Sequence, residues 1–201
     1  MIQNTKTYLE YLKQKRYLKA LGIKNELGKK EILDVGCNNG YGCTVLNAIG
    51  IDINHKLLIV AKKSKRSEVI ECDAHFLPFR FMTFNMVTCF EIIEHVRKPK
   101  KVLGEIFQIL NPEGLILLTT PNKNFLRIAR ILVGKKKPSF HVKEYSYKEM
   151  ATMMKDAGFI ELELKGLGTW VPDFLIQRFP KLSDYLGRVG LNYTFLCIAK
   201  K

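Results

Sequence analysis

Short apolar runs alternate along this chain with stretches whose apolar residues recur every three or four positions. The runs at 31–35, 48–53, 68–72, 85–90, 114–120, 158–165 and 191–199 are rich in Ile, Val, Leu and Phe. Their length and β-branched content predict strands buried on both faces. Helical spacing fits 54–64, 98–110 and 146–157. Ser146 followed by Glu149 spells a capping box and predicts where the last of these helices begins. At the N-terminus Tyr8, Leu9, Leu12, Leu18 and Leu21 fit one more helix, with Gly22 as its stop. Strands alternating with helices define an α/β fold with a parallel sheet covered on both faces. The 201 residues suffice for one domain with a full core, 1–201, in which 1–28 form a helical cap.

One strand leads into a distinctive loop: Glu31-Ile-Leu-Asp-Val-Gly-Cys-Asn-Asn-Gly-Tyr-Gly42. Glycines after a strand let backbone N–H groups approach a ligand closely, because no Cβ intervenes. Asp34 narrows the choice of ligand. A carboxylate at the strand tip repels the pyrophosphate of a dinucleotide but attracts the ammonium of S-adenosylmethionine (SAM). The loop therefore reads as a pocket for a cationic nucleoside, with methyl transfer as the expected chemistry. A nicotinamide oxidoreductase is disfavoured on the same electrostatic ground.

Asp-Val-Gly-Cys-Asn-Asn-Gly resembles the first motif of class I SAM-dependent methyltransferases of the type 11-like group. Ile49-Gly-Ile-Asp-Ile53, Glu71-Cys-Asp-Ala74, Phe84 to Val96 and Leu110 to Asn122 resemble the motifs that follow in that family, in the same order. The resemblance implies a Rossmann-like three-layer sandwich with a mostly parallel seven-stranded sheet, the last strand entering antiparallel at the sheet edge. It also implies that Asp34, Gly36, Cys37, Asn38, Gly40, Asp52, Ile53, Asp73, Ala74 and Phe90 hold SAM. Asp52 would take the ribose hydroxyls and Asp73 the adenine amino group. The segment 166–190, with Trp170, Phe174 and Phe179 between prolines, would be an insert lining the acceptor site. A bland alternative makes it a satellite cluster over the sheet edge.

Two departures stand out. Asn38 replaces a glycine of the signature, which Asn can tolerate because it visits left-handed backbone angles. The distance from Gly40 to Asp52 is short, so Tyr41–Ala48 has room for barely two helical turns. Asp52 could then meet the ribose differently, which keeps open a protein that binds SAM without turnover.

Methyl transfer from a sulfonium needs alignment above all, and a base only when the nucleophile holds its proton, as a hydroxyl does. Catalytic candidates are Glu91 and His141. Were a helix to begin at Glu91, then Glu91, Glu94 and His95 would share one face. With His141 they form the candidate metal set Glu91, Glu94, His95 and His141. This Glu-x-x-Glu-His segment resembles that of small-RNA terminal 2′-O-methyltransferases and ubiquinone-pathway O-methyltransferases, which pair it with metal. In the bland reading Glu94 and His95 merely orient the helix, and His141 anchors a loop. The expected function is O-methylation of a small or lipid- or glycan-linked acceptor. An RNA methyltransferase using the metal site is the alternative.

The net charge of +14 fits an anionic partner, nucleic acid or membrane surface, or simply a well-solvated exterior. Five cysteines without zinc spacing read as free thiols of a reducing compartment. Neither a signal sequence nor a membrane-spanning run is visible, so the expected location is cytoplasmic, with peripheral membrane contact allowed.

Overall fold

A computed structural model describes residues 2–28, 30–63, 68–133, 141–167 and 192–201. Its elements in chain order are α1 (Ile2–Glu26), β1 (Ile32–Val35), α2 (Tyr41–Leu46), β2 (Ile49–Asp52), α3 (His55–Lys63), β3 (Val69–Glu71) and β4 (Phe84–Phe90). There follow α4 (Pro99–Ile109), β5 (Leu110–Pro121), α5 (Lys123–Val133), α6 (Tyr147–Asp156), β6 (Ile160–Leu167) and β7 (Thr194–Lys200). The seven strands form one sheet in the order β3-β2-β1-β4-β5-β7-β6. Pairs from β3 through β5 are parallel, and β7 runs antiparallel to both neighbours. The expected mixed sheet is present, with one correction. The last strand is inserted between β5 and β6, so β6 forms the edge. Once β7 lies antiparallel against β5, the β6–β7 ladder extends the sheet outward.

Alternation along the strands sorts side chains onto two faces. Leu33 and Val35, Val87 and Cys89, and Ile116 and Leu118 face the core beneath α4 and α6, where Val102, Leu103, Ile106, Met150 and Met154 are fully buried. Ile32, Met86, Phe90, Leu117 and Leu196 face the other way, onto Tyr17 and Ala20 of α1 and Leu46 of α2. Asp34 and Thr88 fall on this second face by the same alternation. That register decides what becomes of Asp34.

Several local expectations change. The first helix runs through Gly22 to Glu26, and Gly28 just beyond it, at φ 61°, is the left-handed stop. Its buried stripe is Leu12, Tyr17 and Ala20, whereas Leu9 and Leu18 are exposed. Gly22 is tolerated because helix propensity costs only about 1 kcal/mol, less than a docked face returns. Helix α5, absent from the expected elements, follows the Pro121-Asn122 turn directly. The Asn122 carbonyl accepts from Leu126 N–H and its side chain from Asn124 N–H, so this residue opens the helix. The capping box of α6 forms as expected: Ser146 Oγ accepts from Glu149 N–H, and the Glu149 carboxylate accepts from Ser146 N–H. The insert expected at 166–190 lies, apart from Gly166 and Leu167 of β6, outside the described residues.

Among the described residues all five cysteines are free. No described helix is long and apolar enough to cross a membrane.

Candidate active site

The glycine-rich loop is shaped by backbone angles. Gly36, Asn38 and Gly40 have φ of 74°, 53° and 78°, so Asn38 adopts the left-handed turn its side chain permits. The N–H groups of Gly36 and Cys37 both donate to Ile51 O, at 2.8 and 2.9 Å. A Cβ on Gly36 would collide with Ile92. Helix α2 begins one residue after Gly40 and has six residues, then Asn47 reverses the chain at φ 50°. The clipped crossover therefore closes without breaking the β1–β2 pairing, in which Val35 stands opposite Ile51.

Asp52 ends β2 and is held from two sides. Its Oδ2 accepts from Asn38 N–H and its Oδ1 from Asn54 N–H, both at 2.8 Å. One side chain thus fixes both the loop and its own direction. Asp73, beyond β3, accepts from the His75 backbone at 2.9 Å and pairs with the His75 ring at 2.6 Å. The backbone hydrogen bond in particular holds its carboxyl below the ordinary range. Close behind the two acids come apolar side chains that stay exposed, Ile53 at 69 % and Phe76 at 65 %. Such surfaces beside two hydrogen-bonding acids suit the flat faces of a nucleoside base. Phe76, missed in the sequence, could be found only once its exposure was known. Cys37 and Phe90 are buried and support the loop from beneath; Ala74 is half-buried.

Asp34 departs from expectation. It has no exposed surface: Oδ1 accepts from Thr88 Oγ1 at 2.6 Å and Oδ2 from Tyr17 Oη at 3.0 Å. Burial pushes its carboxyl up to about 6, against the opposing pull of those two hydrogen bonds. Asp34 points onto the face that α1 covers, and Tyr17 stands over it between Tyr41 and Phe90. In this structure Asp34 therefore ties α1 to the loop and has no exposed surface to offer a ligand. The N-terminal helix, expected as a cap, makes a specific contact through Tyr17 that sequence spacing did not disclose.

The second half of the site lies beyond the ends of β4, β5 and β7. Glu91 to His95 form a turn, because α4 starts only at Pro99. The shared helical face expected for Glu91, Glu94 and His95 is thus absent. Glu91, at φ 57°, turns instead toward β7 and α1, where Oε1 accepts from Thr194 Oγ1 at 2.9 Å and pairs with Arg16 at 3.0 Å. Glu94 points inward and is fully buried, with Oε2 accepting from Thr120 Oγ1 at 3.0 Å. Burial and the neighbouring Glu91 raise its carboxyl well above the usual range. Although expected near Glu91 only by analogy, His141 does reach the same turn. Its ring meets His95 edge-to-face with centroids 5.1 Å apart, and the next two amides donate to Glu94 O.

One ligand atom each from Glu94, His95 and His141 lies within 4.8 Å of the others. Glu94 Oε1 is buried and makes no hydrogen bond. Two imidazoles and a carboxylate fit a first-row divalent ion. Of the four expected ligands, Glu91 falls outside the group because Arg16 and Thr194 claim it.

A parallel sheet with a glycine-rich turn after β1, acids ending β2 and following β3, and polar groups beyond β4 defines a class I SAM-dependent methyltransferase. The chain belongs to that family: the profile described as a methyltransferase domain matches residues 6–163. Over 146 residues it is 27 % identical to a Mycobacterium tuberculosis protein named as a probable S-adenosylmethionine-dependent methyltransferase, covering 69 % of this chain and 52 % of that one. It is 28 % identical over 136 residues to a ubiquinone biosynthesis O-methyltransferase of Coxiella burnetii, covering 63 % and 54 %. The chain thus spans about half the length of these relatives. In fold it is similar to a SAM-dependent methyltransferase from Thermotoga maritima, with a TM-score of 0.73, 19 % identity, and 98 % and 95 % of the two chains covered. The cofactor of this family is SAM.

Proposed function

We propose that this protein transfers a methyl group from SAM to an oxygen of a small or carrier-linked acceptor. The observation that carries the reading is the set of proton-accepting groups, Glu94, His95 and His141, gathered beyond the β4 and β5 ends. An acceptor that reacts through an already unprotonated atom needs no such set; a hydroxyl does. The similarity to a ubiquinone biosynthesis O-methyltransferase supports the same choice. In this reading Asp52 and Asp73 hold the nucleoside of SAM, the glycine-rich loop its amino-acid end, and Arg16 and Tyr17 of α1 close the cleft. Alignment of the acceptor oxygen with the methyl group then does most of the catalytic work.

A second reading is favoured by Glu94 Oε1, buried without a hydrogen bond and 3.8 Å from His95 Nε2: a divalent ion held by Glu94, His95 and His141. Such an ion would supply Lewis acidity toward an acceptor hydroxyl. Incubation with methyl-labelled SAM and fractionated cell extract, with and without chelator, tests both readings. Label in a non-nucleic-acid pool that hydriodic acid releases as methyl iodide, as it does from a methoxyl group, supports the first, and its loss with chelator supports the second. Label confined to RNA, with salt-dependent RNA binding, would replace the acceptor class. SAM binding with no labelled pool would leave a binding protein without turnover.

A further inference from the structure

We infer that Arg130 and Glu144 are positioning residues for His141, holding its ring with the proton on Nδ1 so that Nε2 is the proton-accepting atom at the acceptor end of the cleft. The inference rests on the reading of His141 as an acceptor-site group and names the machinery that would make it one. Neither residue carries a motif, and α5 was not expected at all.

The geometry is a two-step relay. Arg130 on α5 grips Glu144 in a bidentate pair, Nη1 donating to Oε2 at 2.8 Å and Nη2 donating to Oε1. Oε1 is shared: the His141 ring nitrogen Nδ1 lies 2.9 Å from it. Glu144 is buried, and the bidentate guanidinium of Arg130 sets a full positive charge against its carboxylate. An ionised carboxylate only accepts, so the contact requires Nδ1 to be the donor. In the neutral imidazole the lone pair is then on Nε2. A plain ion pair fastening α5 to the loop would need no histidine on its shared oxygen. Nor would it need the ring pinned from the other side, as it is by His95 and by Val142 N–H donating to Glu94 O at 2.8 Å. Arg130 has a separate task in this relay. By neutralising Glu144 it keeps the carboxylate from taking the imidazole proton itself.

The decisive measurement is the tautomer of His141, read from long-range proton–nitrogen correlation spectra of the whole protein near neutral pH. The expected result is Nδ1–H in the wild type. The double variant Arg130→Met with Glu144→Met removes both members of the ion pair together, so that no unpaired carboxylate is left buried. In it His141 should shift toward Nε2–H, SAM affinity should stay within about twofold, and methyl transfer to the labelled pool should fall at least tenfold. Glu144→Gln keeps an acceptor oxygen, and recovery of the Nδ1–H form in it supports the relay. A wild-type His141 protonated on Nε2, or a tautomer unchanged in the double variant, overturns it. Because the spectra need no acceptor, they decide the relay even if no methyl transfer is found, an outcome that would overturn the proposed function alone.

Discussion

The two halves of the cleft are built from different materials. Under β1, β2 and β3 the chain shapes its pocket with backbone: left-handed turns at Gly36, Asn38 and Gly40, two amides on Ile51 O, and two more on Asp52. Beyond β4, β5 and β7 the pocket is made of ionisable side chains that meet from distant parts of the chain. Arg16 reaches Glu91, Thr120 reaches Glu94, and Arg130 and Glu144 reach His141. A pocket of backbone amides ordered around one acid depends on few side chains besides that acid. A side-chain network can be rewired one residue at a time, which would suit the acceptor role proposed for that half. Helix α1 spans both, since adjacent residues Arg16 and Tyr17 touch Glu91 on one side and Asp34 on the other.

The strongest test of this contrast is Asp52→Ala. Two loop amides lose a charged acceptor, and SAM affinity should fall ten- to hundredfold, about 1.5–3 kcal/mol, by calorimetry. Affinity unchanged within twofold would mean that the loop does not depend on Asp52. Next comes Asp34→Asn, which separates a buried structural acid from a ligand-binding one. The folded-state carboxyl is raised from 3.8 to about 6, so the native state holds its proton longer than the unfolded chain. Stability assigned to Asp34 is therefore full below pH 4 and falls as pH rises toward 6. The variant should lack that fall and gain on the order of 2 kcal/mol relative to wild type at pH 7, with less than a tenfold change in SAM affinity. A large loss of affinity without any change in the pH profile would return Asp34 to direct contact with the cofactor.

Gly42→Ala probes the seam between α1 and the loop. Its Cβ would collide with the Tyr17 ring and with Asp34 Oδ2. Overpacking of this kind should cost about 2 kcal/mol in chemical denaturation and loosen α1 toward proteolysis. An unaltered midpoint would show that α1 is not seated there. The smallest effect belongs to Ser146→Ala, which removes the cap of α6 and should cost about 1 kcal/mol. If SAM affinity fell along with it, the two halves would be more tightly coupled than their construction implies.

Most of the sheet, the glycine-rich loop and the Ser146 cap were legible in sequence because each depends on residues close together in the chain. A period of two or 3.6, a glycine where φ must be positive, and an acid three residues after a serine are local signals. Asp34 could be recognised as the acid of the loop, yet its burial depends on the strand face it occupies and on Tyr17, seventeen residues away. The turn at Glu91–His95 read as a helix because its spacing fits one. Pairing of Glu91 with Arg16 and Thr194, residues from opposite ends of the chain, pulls it elsewhere.

What the sequence determined by itself was the layering, the family and the glycine-rich loop, since backbone conformation and alternation are written residue by residue. Only the tertiary structure decided the place of β7, the sealing of Asp34 and the joining of His141 to Glu144 and Arg130. Those contacts are fixed by where separate elements pack, and burial then sets the charge state each group can hold.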